Sequence, residues 1–168
     1  MDTIADAGSL WWWGSLLALL VGRALDLLST RIATPRLENE GNPLSRRLGW
    51  RGGIVFSILI SFGAAFVPLI AIILTTTSFL IAAENFRSAW LMRTMGEHNY
   101  RDWYLRRVSE TPRALYFGCL LGKTLPFIFL GLVLAVFTGL NLVSLGIGVG
   151  IIGYGLAVLL YTWLARRG

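Results

Sequence analysis

From Leu142 to Leu164 the chain carries no charged side chain. A helix needs roughly 20 apolar residues to cross a bilayer core, so this stretch is long enough on its own. Three further segments have the same character, from about Leu10 to Thr30, Ile54 to Ala83 and Ala114 to Thr138. Of the 168 residues 55% are hydrophobic and 14% charged, against about 25% charged in a soluble domain. The expected fold class is therefore an all-α integral membrane bundle, one domain with four transmembrane helices.

The segment 54–83 is the least regular of the four. As one helix it extends about 45 Å, more than the hydrocarbon thickness, so it must tilt, kink at Pro68 or project from the membrane. A re-entrant hairpin around Pro68 is the alternative. The first connection, Arg31 to Gly53, contains Asn42-Pro43, an N-cap followed by proline at the first helical position, which predicts a short helix through Trp50. The second connection, Glu84 to Arg113, breaks near Gly96. Beyond it Tyr100, Trp103, Tyr104 and Val108 share one face, with Arg101, Asp102 and Arg106 elsewhere, the pattern of an interfacial amphipathic helix. The third connection, Gly139 to Asn141, is short enough to make the last two helices a tight hairpin.

Charge supplies the orientation. Fourteen of the fifteen basic residues are arginine, and the formal net charge is +6. The arginines lie between apolar segments and not along one stripe, so anionic lipid headgroups, not nucleic acid, are the expected counter-charge. In the four-span arrangement six arginines of the second connection and two at the C-terminus face five in the first connection, which favours N-in, C-in in a prokaryotic cytoplasmic membrane. The hairpin alternative instead puts all three basic regions on one side. The N-terminal MDTIADAGSL lacks a basic n-region, so the first segment is expected to stay in the membrane and not to be cleaved as a signal. Trp11 to Trp13, Tyr161 and Trp163 read as interfacial anchors.

Charges inside the apolar segments are the functional clue. Arg23, Asp26 and Thr30 fall on one helix face, and a charge at membrane depth costs roughly 2.5–3.5 kcal/mol, so such groups face a partner or a wet cavity. Lys123, about nine residues into the third segment, must snorkel or pair. Asp26 is its first expected partner and Glu84 its second. These residues form the candidate polar cluster: Arg23, Asp26, Thr30 and Lys123. Asp26, Glu38, Glu40 and Glu84 are weak candidates for a hard divalent cation, though their spacing matches no established cation loop. In the four-span arrangement Asp26 and Glu84 leave the membrane on opposite faces; only the hairpin alternative brings them to one.

Gly148, Gly150 and Gly153 have G-x-G-x-x-G spacing, but a pyrophosphate cradle needs a preceding strand and an exposed loop. In an apolar helix they read as packing surface. Gly146, Gly150 and Gly153 line one face that admits a close neighbour, and Gly118 and Gly122 offer a similar patch. Ser57, Ser61, Ala64 and Ala65 do so on the second segment. One histidine, His98, and one cysteine, Cys119, leave no His-rich zinc site, bis-histidine haem or intrachain disulfide. No catalytic constellation is identifiable and no cofactor is expected.

At D-L-L-S-T (Asp26 to Thr30), followed by E-N-E-G-N-P-L (Glu38 to Leu44), the chain resembles a group of small prokaryotic multi-pass membrane proteins. In these a first helix ends in D-x-x-[ST]-T and the next loop carries an E-x-N-P-like turn. The resemblance covers about the first third of the chain, and Gly41 departs from it by separating Glu40 from Asn42. It implies no activity, only that Asp26, Thr30, Glu40 and Asn42 belong together. The expected role is an accessory or structural subunit that contacts lipid and other membrane subunits, or itself, through glycine-rich and aromatic faces. A small oligomeric transporter built on Arg23, Asp26 and Lys123 is one alternative. A divalent-cation-dependent intramembrane enzyme is the other.

Overall fold

The computed structural model describes residues 4–40, 43–137 and 141–165. Among these the chain is helical throughout: α1 (Leu10–Ala33), α2 (Pro43–Ala64), α3 (Pro68–Met95), α4 (Glu97–Glu110), α5 (Arg113–Phe137) and α6 (Leu142–Ala165). Three of these, α3, α5 and α6, are long and apolar enough to cross a membrane. The expected number was four; α1 is the one that falls short, and the second expected span is differently built. Arg23, Asp26 and Arg31 interrupt the apolar run of α1. The segment 54–83 is not one helix; it breaks at Ala65–Val67, with Pro68 opening the next helix at its first turn.

That break is a hairpin, and it sets the topology. Gly22 of α1 packs on Thr75 and Ser78 of α3, and Asn85 of α3 donates to Ser29 and Thr30 of α1, so α1 and α3 run parallel. Between them in sequence, α2 runs the other way: Arg23 reaches Ser57 and Trp12 packs on Phe62. Ser57, Ser61, Ala64 and Ala65 are the buried positions here, joining Trp12, Leu16 and Leu19 in the apolar core at that end. The Ala5 N–H donates to the Phe66 carbonyl and ties the chain start to the hairpin. α6 lies parallel to α3, and α5 antiparallel to α6, with Gly131 against Gly148 and Ile128 against Gly155. The helices thus stand in the row α2–α1–α3–α6–α5.

Local chemistry fixes the ends. Ser9 caps α1 by accepting from the Trp12 N–H at 3.2 Å. Gly96, at φ +79°, separates α3 from α4. Within α2, Gly49 at φ 63° and ψ −172° is non-helical, a conformation open essentially only to glycine, so residues 43–48 form a short helix that turns away from the rest. Asn42, expected to cap it, lies outside the described residues, as does Gly139 of the last turn.

The consequence is a one-sided charge distribution. The connection after α1, the whole of α4 and the end of α6 fall at one end of the bundle. Its other end holds the start of α1, the α2–α3 hairpin and the α5–α6 turn. The starts of α1 and the end of α6 are therefore at opposite ends, not together as an N-in, C-in arrangement requires. The helix α4 has the expected faces: Tyr100, Tyr104 and Val108 are half-buried, and Arg101, Asp102 and Arg106 exposed, although Trp103 is exposed as well. The Tyr104 and Tyr116 hydroxyls meet at 3.3 Å and link α4 to α5.

Candidate functional site

The hairpin brings the polar residues of three distant segments to one place. At the basic end a cavity of about 340 Å³ lies between α1, α2, α3 and α6, with Lys123 of α5 reaching in. Arg23, Asp26 and Thr30 line it from α1, Glu40 from the loop, and Glu84 and Asn85 from α3. The four members of the expected polar cluster thus share one cavity with two of the acidic candidates. Glu38 does not join them: it lines a separate, open depression with Arg36, Arg93, Glu97 and His98. Among the described residues no group of three or more His, Cys, Asp or Glu side chains comes together in a way that could hold a metal ion.

The cavity walls hold two ion pairs. Arg23 donates to Asp26 Oδ2 at 2.9 Å and to Ser57 Oγ at 3.0 Å, so one guanidinium joins α1 to α2. Lys123 pairs with Glu84, not with Asp26 as first expected. The physical reason is the order of the helices, in which α3 stands nearer α5 than α1 does, while Asp26 is paired with Arg23 of its own helix. Glu84 also accepts from Arg87 at 2.6 Å and stands 3.5 Å from the Tyr154 hydroxyl of α6. A single carboxylate therefore connects α3, α5 and α6. Removing one member of such a pair leaves an uncompensated charge, which is strongly destabilising away from water.

The remaining lining is mixed. Asn85 Nδ2 donates to Ser29 and Thr30 hydroxyls at 3.2 and 3.1 Å, which fastens α3 to α1 beside the cavity floor. Leu27, Phe56, Ile81 and Val158 supply apolar wall, and Trp50 and Tyr161 aromatic wall. Trp50 is held in place: its indole N–H donates to the Pro35 carbonyl at 2.8 Å, and the Arg31 guanidinium sits 5.8 Å from its ring centre. Among the described residues α2 and α6 face each other across the cavity without forming a packed interface, whereas α1 with α3 and α3 with α6 pack closely. The cavity is thus walled by apolar residues of both α2 and α6.

A second polar assembly closes the loop over this end. Glu97, the first residue of α4, accepts from the Thr34 hydroxyl and from the backbone N–H groups of Arg36 and Glu38 at 2.8 and 3.2 Å. Its own carbonyl accepts from Asn39 Nδ2 at 2.9 Å. The loop that carries Glu40 into the cavity is shaped by these bonds, which also account for Leu37 at φ 59°.

The glycine faces are divided between interior and surface. A Cβ at Gly146 or Gly150 would meet Ile72 or Thr76 of α3 at 2.7 Å, and Gly153 lies over Thr77. These three make the α3–α6 contact within the chain. Gly118 and Gly122 have nothing within 4 Å and lie on the exposed face of α5.

Sequence reasoning passed over Tyr154 and Glu97. A hydroxyl-bearing aromatic amid the glycines of α6 was an available signal, since buried tyrosines usually find a polar partner. Nothing local to Glu97 marks its role, which depends on a loop some sixty residues earlier. Comparisons with protein-family models, curated proteins and solved structures find no match, so the cavity is interpreted from its own chemistry.

Proposed function

We propose that the protein is a multi-pass membrane protein that binds a small amphiphilic molecule in the cavity at its basic end. The observation that carries this is the lining itself. Two ion pairs and a ring of hydroxyl and amide groups occupy one part, Leu27, Phe56, Ile81 and Val158 the other. Charged residues at this depth are costly and mark a site by default. A volume of about 340 Å³ lies at the small end of the roughly 300–1,000 Å³ typical of ligand sites, enough for one polar head and the first part of a tail. α1 and the hairpin legs complete the bundle in the bilayer, with α4 at the interface. The clustered arginines then face the cytoplasm and the start of α1 the opposite side.

Native mass spectrometry of the protein released from mild detergent tests this reading. An adduct of lipid mass that is retained in the native protein and lost in Gly53→Leu supports it. No adduct, and no difference between the two proteins, contradicts it. A second reading, a subunit of a larger membrane assembly, is favoured by Gly118 and Gly122, a small-residue patch with no neighbour in the chain. In the same spectra it predicts a partner subunit that dissociates in Gly118→Leu.

A further inference from the structure

Resting on the reading of the cavity as an amphiphile site, we infer that the ligand head is uncharged and polyhydroxylated, of the sugar or polyol class. The cations of the lining are already paired. Asp26 is paired with Arg23, and Glu84 with Lys123 and Arg87, while Glu40 adds a third carboxylate to the lining. Three carboxylates thus stand against two cations in the lining and Arg87 beside it, and each lining cation already has its carboxylate. A head bearing net charge has to break one of these pairs, leaving the displaced partner uncompensated in a poorly solvated site.

The hydrogen-bonding sense of the groups narrows the class further. Ionised carboxylates only accept, and Arg and Lys only donate. A phosphate, which only accepts, finds a carboxylate already paired with each lining cation it approaches. An ammonium, which only donates, meets Arg23 and Lys123 in the same way. A hydroxyl does both, so a set of hydroxyls can bridge Asp26 to Arg23 and Glu84 to Lys123 without separating either pair. Zwitterionic heads could also balance charge, but only by inserting between partners that are now in direct contact. The Trp50 ring, fixed by Pro35 and Arg31, adds an apolar face of the kind that a sugar ring can cover. The first part of the tail lies along Leu27, Phe56, Ile81 and Val158.

The test uses single-chain amphiphiles of one chain length, added to the full-length protein in a polyoxyethylene-ether detergent while thermal unfolding is followed. The probes are an alkyl glucoside, an alkyl phosphate, an alkyl phosphocholine and an alkyl trimethylammonium. The control is Gly53→Leu, because Gly53 lines the cavity and has open space where its Cβ would stand; the leucine takes up ligand volume, and Tm without ligand is unchanged or raised by helix propensity. The glucoside is expected to raise Tm saturably by roughly 5 °C in the native protein and not in Gly53→Leu. A larger Gly53-dependent shift with any charged or zwitterionic probe overturns the neutral-head class while leaving the amphiphile reading standing. No Gly53-dependent shift with any probe overturns both.

Discussion

Two stretches of the same helix, the amino-terminal half of α3 and the turn around Glu84, meet their neighbours in opposite ways. Near Ile72 and Thr76 the partner helix α6 offers glycine, and backbones approach until a single added carbon would clash. There the Thr77 hydroxyl reaches the Gly150 carbonyl directly at 3.0 Å. Around Glu84 helix α5 stands apart from α3, and long polar arms cross to Lys123 and to Tyr154, while Asn85 bonds to Ser29 and Thr30 of the adjoining α1. Close approach without side chains makes a dry seam. Separation bridged by charges makes a cavity. The difference locates stability in the first region and ligand chemistry in the second.

The contrast can be broken most severely at the other glycine seam of α6, its contact with α5. A Cβ at Gly148 would stand 2.5 Å from the Gly131 carbonyl oxygen and 2.8 Å from the Ala135 nitrogen, both backbone atoms. Gly148→Ala is expected to cost about 3 kcal/mol, the upper end for overpacking, read as a loss of thermal stability in detergent. Gly118→Ala, in open space, should instead be neutral or gain up to about 1 kcal/mol from helix propensity. Equal losses at the two sites would remove the distinction between packed and exposed glycines.

At the cavity, Glu84→Gln leaves Lys123 and Arg87 without their carboxylate and should cost about 2 kcal/mol. Adding Lys123→Met should recover much of that loss, because the uncompensated ammonium is gone. A double-mutant cycle measures the coupling, and additivity of the two changes would show that the pair does not hold α3 to α5. A smaller effect is expected at the loop. Glu97→Gln retains one acceptor oxygen in place of two and should cost about 1 kcal/mol, with faster hydrogen exchange at the Arg36 and Glu38 amides.

The smallest effect concerns α4. Burial pushes the Tyr100 and Tyr104 phenols above their usual range, and for Tyr104 the Tyr116 hydroxyl adds to the rise. The folded protein then holds these protons more tightly than the unfolded chain does. Their contribution to stability is full below about pH 10, the ordinary tyrosine value, and falls as pH rises beyond it. Tyr116→Phe should bring the Tyr104 titration back toward the ordinary value, seen in phenolate absorbance, at a cost of about 0.5 kcal/mol.

What could be read from the residues follows the same division. The apolar runs that became α3, α5 and α6 were legible because length and hydropathy alone define them. The break at Ala65–Val67 was legible only as an alternative, a hairpin around Pro68, because Ala64, Ala65, Phe66 and Val67 suit a continuing apolar helix. That one turn reverses α2 against α3 and decides which face Glu84 shares. Arg23, Asp26, Thr30 and Lys123 stood out as charged or polar residues in apolar surroundings. Their partners did not, since whether Lys123 meets Asp26 or Glu84 depends on the order of helices in the row. The glycines of α6 announced a close contact, but the helix receiving them became known only with the fold.

Everything said of the cavity depends on the hairpin that places the first and second connections at one end. Single cysteines at Arg46, Arg101 and Asp6, all exposed, introduced with Cys119 replaced by serine, allow labelling by a membrane-impermeant maleimide from one side of sealed vesicles. The account predicts that positions 46 and 101 react from the same side and position 6 from the other. Labelling of 46 and 101 from opposite sides would restore a continuous span over 54–83, separate Asp26 from Glu84 and contradict the shared cavity.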